Sequence, residues 1–347
     1  MIFWSIINLN ISYADDTAVN SFGGNLICEK ETRISLKKET LIFTQLENSM
    51  RVDVYFEFYN PDDARDLKVG FVTPGISAPE LPEGGNPNLE NFLAIVNDEI
   101  VKFNISKLEN TDFKVTKQDY FNYDYIYYFD VRFKKGINTI KHSYNYGPII
   151  STGGSLGTLD YFYKLTTGKN WANETIEDFE LIINKTGLFD VPLYLDSNPT
   201  NNWEVKGFGK TQEEIDKSKL DNSKLNINLK SGYLYLHKTN FKPEHDIQIS
   251  RYNPIDNFDI LKTIYWSSMN GDYGLDKLDK EDYRIARNAI FAIYGYKFND
   301  IDMLNYFSKY FWYIPDPNIT NSVDIFDQNY KNLFNRIVQL EKEYKTP

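Results

Sequence analysis

Apolar and polar residues alternate with a period of two along much of the first 254 residues, the pattern of strands with one buried face. Met50 to Tyr59 shows it plainly: Val52, Val54, Phe56 and Phe58 fall on one face. Arg33 to Phe43 alternates in the same way, and Val69 to Thr73, Phe92 to Val96, Ile100 to Phe103 and Thr139 to Tyr146 are further predicted strands. Between them the turn chemistry is local. Asn60-Pro61-Asp62-Asp63 combines a preset φ with Asn and Asp side chains that bond back to the backbone, and Asn97-Asp98 predicts a hairpin turn. Residues 74–88 carry four prolines and three glycines and predict a loop.

Tyr123, Tyr125, Tyr127 and Phe129 share one parity within residues 120–133, so they form an aromatic stripe. Packing against a second sheet is the expectation for that stripe, ahead of stacking on sugars. Beyond residue 147 the strand pattern continues through Thr158 to Thr167, Phe179 to Asn184, Leu225 to Leu229, Tyr233 to His237 and Ile247 to Tyr252. Glu213 to Lys224 is charge-rich and reads as a solvated excursion.

The period then changes. Tyr283, Ala286, Ile290 and Ile293 recur at helical spacing, and a second row of Ile285, Ala289, Ala292 and Tyr296 makes this helix apolar around much of its girth. Asp279 is placed to cap its start and Gly295 to end it in the left-handed conformation. Asp300 opens a short helix with Leu304 and Phe307, and Phe311-Trp312-Tyr313-Ile314-Pro315 wraps the pair. Phe326, Tyr330, Leu333, Ile337, Leu340 and Tyr344 form the seam of a last helix. The fold class is therefore α+β and multidomain: a predominantly antiparallel, sandwich-like β region followed by a small all-α module. The divisions are a leader-like segment at 1–14, a β domain at 15–150, a second β unit at 151–254 and a helical domain at 255–347.

Composition sharpens the picture in three places. Aromatic residues make up 16% of the 347, with 26 Tyr and 24 Phe, which favours sheet faces and contact surfaces. The net charge of -11, with no basic stripe, argues against a nucleic-acid partner. The single cysteine, Cys28 beside Leu26 and Ile27, excludes an intramolecular disulfide and multi-cysteine metal sites and reads as a small buried hydrophobe. Ile2 to Ile11 is apolar and is followed by Ser12 and Ala14 at signal-peptidase spacing, so export with cleavage before Asp15 is expected. Later in the chain no apolar run is long enough to span a membrane as a helix.

Candidate chemistry is sparse. Gly153-Gly154-Ser155-Leu156-Gly157 matches the nucleophile-elbow string, but the residues after it read as a strand, where that chemistry needs a helix. A glycine-rich turn is the better reading. Asp196-Ser197-Asn198-Pro199 lacks the central glycine and bidentate glutamate of a calcium loop. His237 and His245 have too few nearby ligands for a metal site. No catalytic residue, metal site or cofactor is assigned.

The segment Tyr283-Arg284-Ile285-Ala286-Arg287-Asn288-Ala289-Ile290-Phe291-Ala292-Ile293-Tyr294-Gly295-Tyr296, with Leu304, Tyr306-Phe307 and Trp312-Tyr313, resembles the YARHG domain, a small bacterial extracellular module. The likeness covers roughly residues 260–345. Ser21 to Gly24, Ser151 to Trp171 and Asn240 to Ile247 resemble, more diffusely, a family of exported β-rich bacterial proteins. The motif that names the YARHG family falls on Phe291, Ala292, Ile293, Tyr294 and Gly295, so its arginine and histidine are replaced. Proton-transfer or metal chemistry by that histidine is closed to this chain, because a phenol does not titrate near neutrality. The resemblance implies a non-enzymatic envelope or secreted protein, whose helical module recognises peptidoglycan or another envelope glycan, or an envelope protein. Tyr294, Tyr296, Trp312 and Tyr313 are its candidate binding residues. Arg287, Asn288 and Gly295 are structural candidates, Arg287 expected to bond a carboxylate or loop carbonyls. The alternative is an extracellular hydrolase using Ser155 or a carboxylate pair assembled by folding.

Overall fold

A computed structural model describes residues 33–73, 75–76, 86–87, 89–112, 125–151, 157–197, 202–271 and 274–344, with short strands at 22–24 and 26–27. The leader-like segment, Cys28, Tyr123 and Ser155 lie outside the described residues. The longer strands are β1 (Ser35–Gln45), β2 (Met50–Asn60), β3 (Arg65–Thr73), β4 (Glu90–Val96), β5 (Tyr125–Phe133) and β6 (Gly136–Tyr146). They continue with β7 (Thr158–Lys164), β8 (Ile176–Asn184), β9 (Gly187–Pro192), β10 (Glu204–Glu214), β11 (Lys224–Phe241) and β12 (Ile247–Arg251). Four α-helices follow among the described residues: α1 (Asp259–Asn270), α2 (Lys280–Ile293), α3 (Ile301–Phe307) and α4 (Gln328–Glu343).

One 13-stranded sheet runs β7-β12-β9-β11-β8-β1-β2-β6-β4 through its centre, with β10 on the free side of β11. Its ladders are antiparallel except where β8 meets β1 and where Phe22–Gly24 meets β7. A smaller sheet, in which β5 pairs with β3, packs over the inner face. Alternation made this arrangement: Val52, Val54, Phe56 and Phe58 are buried, as are Val69 and Phe71 from the smaller sheet. Tyr125, Tyr127 and Phe129 of the aromatic stripe are buried too, with the Tyr127 ring 4.8 Å from Phe92. Strands from both sides of residue 150 share the large sheet, and their apolar residues form one continuous cluster from Ile34 to Ile249.

Local chemistry explains the turns. Asp62 donates its N–H to Asn60 Oδ1 at 3.1 Å, closing the expected Asx turn. Asn97 and Asp98 both hold positive φ, as a two-residue hairpin requires, and Val96 pairs with Glu99 across them. The strand predicted from Ile100 to Phe103 stops at Ile100, and Asn104–Lys107 pairs instead with β5 in the smaller sheet.

Three elements depart from the sequence pattern. β10 has almost every side chain exposed, so it carries no alternation to read. The segments 225–229 and 233–237 are one strand, β11. Gly232, at φ +92°, faces Gly207 so closely that a Cβ on Gly232 would sit 2.0 Å from the Lys206 carbonyl oxygen, and the strand passes that point without breaking. The helix α1 follows Phe258, which offers no capping side chain and hence no start signal.

The helical module has its own core, from Ile255 to Leu340, and is fastened to the sheet through backbone carbonyls. Asn228 Nδ2 donates to the Trp312 carbonyl and Lys210 Nζ to the Tyr313 carbonyl, each at 2.8 Å. Asn228→Ala leaves the buried Trp312 carbonyl unpaired and is expected to cost about 1–3 kcal/mol. A urea midpoint equal to that of the parent would show that this bond carries none of the docking.

Candidate functional site

Capping and packing place the residues singled out in the helical module. Asp279 accepts from the N–H groups of Glu281 and Asp282, and Asp282 reaches back to the Asp279 N–H, a complete capping box. At the other end Gly295, at φ +91°, donates to Ala292 O and Tyr296 donates to Phe291 O. This is a Schellman ending, and the Tyr296 and Phe291 rings make its accompanying apolar contact at 5.9 Å. A Cβ on Gly295 would meet the Ile314 carbonyl oxygen at 3.1 Å, so both φ and space call for glycine.

Of the four candidate binding residues, Trp312 and Tyr313 are enclosed in the packing and Tyr294 and Tyr296 are partly exposed. Trp312 and Tyr313 are buried, Trp312 against Phe258 and Tyr310, and Tyr313 with its hydroxyl donating to Tyr296 O at 2.9 Å. Their rings are out of reach of a ligand. Tyr294 and Tyr296 are half-buried. The Tyr294 hydroxyl accepts the N–H of Asp327, the N-cap of α4, at 2.8 Å, and burial pushes its pKa up to about 12. Where the family motif has histidine, this chain has a tyrosine that ties the end of α2 to the start of α4. Asn288 donates to Arg284 O one turn back at 2.9 Å. Arg287 finds its carboxylate in Glu341 of α4, with Nε 3.1 Å from Oε2. That approach is off the N–H axis, so Nε makes an ion-pair contact and no aligned hydrogen bond.

A concave, chemically varied surface lies on the outer face of the large sheet. Arg51, Asp53 and Tyr55 of β2 alternate with the buried Val52 and Val54 and therefore point outward. Ladder register aligns Thr40, Tyr55, Lys141 and Ile95 in one row across β1, β2, β6 and β4. Ile42, Asp53, Ser143 and Leu93 form the next. Together with Arg51 they line an open groove of about 380 Å³. Arg51 holds Asp53 in a two-pronged bond, Nε at 2.8 Å and Nη2 at 2.7 Å. The Tyr55 hydroxyl donates to Glu57 at 2.6 Å, and burial followed by that bond raises its pKa to about 12. Lys141 reaches Asp98 at 3.1 Å with its ammonium 5.7 Å from the Tyr55 ring centre.

Beside the groove Thr40 donates to Glu180 at 3.2 Å, and Lys38 lies 3.0 Å from Asp178. His237 shares Asp178 at 2.8 Å, and His245 lies 3.6 Å from Asp221, so each histidine has a carboxylate partner. Asp196 pairs with Lys238 at 2.8 Å. Among the described residues no group of three or more His, Cys, Asp or Glu could hold a metal ion, and no helix is long and apolar enough to cross a membrane.

Directly beneath the groove, His142 points into the core between Lys141 and Ser143. It is enclosed by Phe56, Phe71, Phe92 and Tyr144, neither ring nitrogen has a hydrogen-bond partner among the described residues, and burial lowers its pKa to about 3. Sequence reasoning did not find the groove or this histidine. Parity in β2 and β6 told which side chains face outward, but the pairing of β1, β2, β6 and β4 spans about a hundred residues and leaves no local trace.

No curated protein sequence matches the chain. Among solved structures, a "putative nutrient binding protein" from Legionella pneumophila aligns over 94% of this chain and 100% of its own, with 22% identity and a TM-score of 0.61. The two share a fold. An M1 zinc metallopeptidase from Deinococcus radiodurans aligns over 64% of this chain and 43% of its own, with 12% identity and a TM-score of 0.27, too low to relate the two folds. Residues 262–342, from within α1 to the last turn of α4, match the YARHG domain family.

Proposed function

We propose that this is an exported bacterial envelope or secreted protein with a non-enzymatic binding role, and that the outer-face groove takes a small polar solute. The observation that carries the reading is the groove itself. Its volume of about 380 Å³ lies in the range of small-molecule sites, and it sets donors and acceptors beside an apolar strip of Ile42, Leu93 and Ile95. Export is supported by the apolar run Ile2 to Ile11 with Ser12 and Ala14 after it. The shared fold with a protein described as nutrient binding agrees in kind. In this reading the YARHG domain recognises a cell-wall component or a protein partner through its exposed surface, while its aromatic core holds that surface against the sheet.

A thermal-shift screen of the full chain against sugars, amino acids, dipeptides and phosphate tests the groove. A solute at a hundred times its Kd stabilises by about 2.7 kcal/mol, a shift of roughly 4 °C for a chain of this size. The expected result is such a shift in the parent and its loss in Tyr55→Ala. No shift with any solute, together with no retention of the chain on purified sacculi, overturns the reading. Cell-derived protein that begins at Met1 by mass spectrometry overturns export.

A further inference from the structure

We infer that the groove selects a neutral saccharide; this rests on its being the binding site. Its charges are already compensated from within. Arg51 and Asp53 close a two-pronged pair at 2.7 and 2.8 Å, and Lys141 is held by Asp98 at 3.1 Å. An anion approaching Arg51 meets the repulsion of Asp53 beside it, and a cation approaching Asp53 meets that of Arg51. The pairs are half-exposed and present no net charge, so a charged solute has little to win over water. A hydroxyl brings no charge to be repelled. It donates to the free lone pairs of a carboxylate and accepts from the remaining guanidinium N–H groups while the pair stays closed.

The second row supports the same class. Ser143 has a hydroxyl with no partner among the described residues, in register with Asp53 on one side and Leu93 on the other. Leu93 is 39% exposed and lies beside Ile42 and Ile95 on the groove wall, so polar and apolar contacts sit within one strand spacing of each other. Saccharides present that mixture, with hydroxyls around the ring edge and C–H groups on its faces. The half-buried Tyr55 ring lines the groove, with the Lys141 ammonium 5.7 Å from its centre, and offers apolar surface to those C–H groups.

Titration calorimetry on the full chain tests the inference. The probes are N-acetylglucosamine oligomers, cellobiose and maltotriose against glutamate, arginine, a dipeptide and inorganic phosphate; circular dichroism checks that each variant is folded. A neutral saccharide is expected to bind with Kd below about 1 mM, at least about tenfold tighter than any charged probe, and about tenfold more weakly to Tyr55→Ala. Asp53→Asn, which frees Arg51, is expected to gain phosphate binding. Binding of a charged probe alone, lost in Tyr55→Ala, overturns the saccharide assignment and leaves the groove as the site. Absence of any Tyr55-dependent binding to the probes or to pelleted sacculi overturns both. Retention on sacculi without binding of free oligomers supports a polymeric glycan as the source, and the converse a free sugar.

Discussion

His142→Phe should make the protein more stable in acid and flatten its stability profile between pH 6.5, the ordinary histidine value, and about 3, where the buried imidazole titrates. Burial lowers the folded pKa, so between those limits the unfolded chain holds a proton that the folded chain does not. Stability attributable to this group is therefore fully present above about pH 6.5 and lost as pH falls through the window, on the order of 5 kcal/mol in all. Phenylalanine has no proton to take up, and it removes two buried ring nitrogens that have no partner among the described residues. Asp190 works in the opposite direction. Burial raises its pKa to about 6, against the pull of Lys224 and with the push of Asp160 and Glu214, so acid down to the ordinary carboxylate range stabilises that site. The difference between parent and variant isolates the histidine from this opposing slope. Urea unfolding at a series of pH values measures it; parallel curves for the two proteins would show that His142 is not neutral and enclosed in solution.

Trp312→Ala should loosen the helical module selectively. The ring is 2% exposed and lies within 6.0 Å, centre to centre, of Phe258, Phe307 and Tyr310, so truncation opens a large cavity and costs about 3–5 kcal/mol. Its carbonyl, which accepts from Asn228, belongs to the backbone and survives the change. Since the module and the sheet have separate cores, the loss falls on one of them. Amide hydrogen exchange is expected to accelerate through α2 and α4 while β1 and β2 keep their protection. Equal protection in all four elements, or equal loss, would mean that the ring does not organise the module or that the two cores melt as one.

The two variants bracket what was readable in advance. Trp312 was visible as part of an aromatic cluster, but its burial was not. A ring between two helical signals can face solvent or core, and the choice depends on how α1, which has no start signal, closes over it. Arg287 illustrates the same division. A guanidinium on an apolar helix predicts a carboxylate, and only the packing of α2 on α4 selects Glu341. Tyr294 carried a motif position with no stated partner until the α4 N-cap was brought to it. β11 shows the limit from the other side, since Gly232 reads as a break and serves as a close approach that keeps the strand whole.

Determined by the sequence alone were the period-two strands, the Asn60 and Asn97 turns, the Asp279 and Asp300 caps, the Gly295 ending and the resemblance of the helical segment to the YARHG domain. All of these rest on residues within a few positions of one another, where backbone geometry and side-chain bonding act directly. Tertiary structure decided which outward-facing residues share a groove, which histidine lies beneath it and which aromatic rings are hidden. Those outcomes depend on strand register and helix docking between distant segments. Along the chain the groove's residues fall into separate stretches near 40, 53, 94 and 142, and only the ladder pairing sets them side by side.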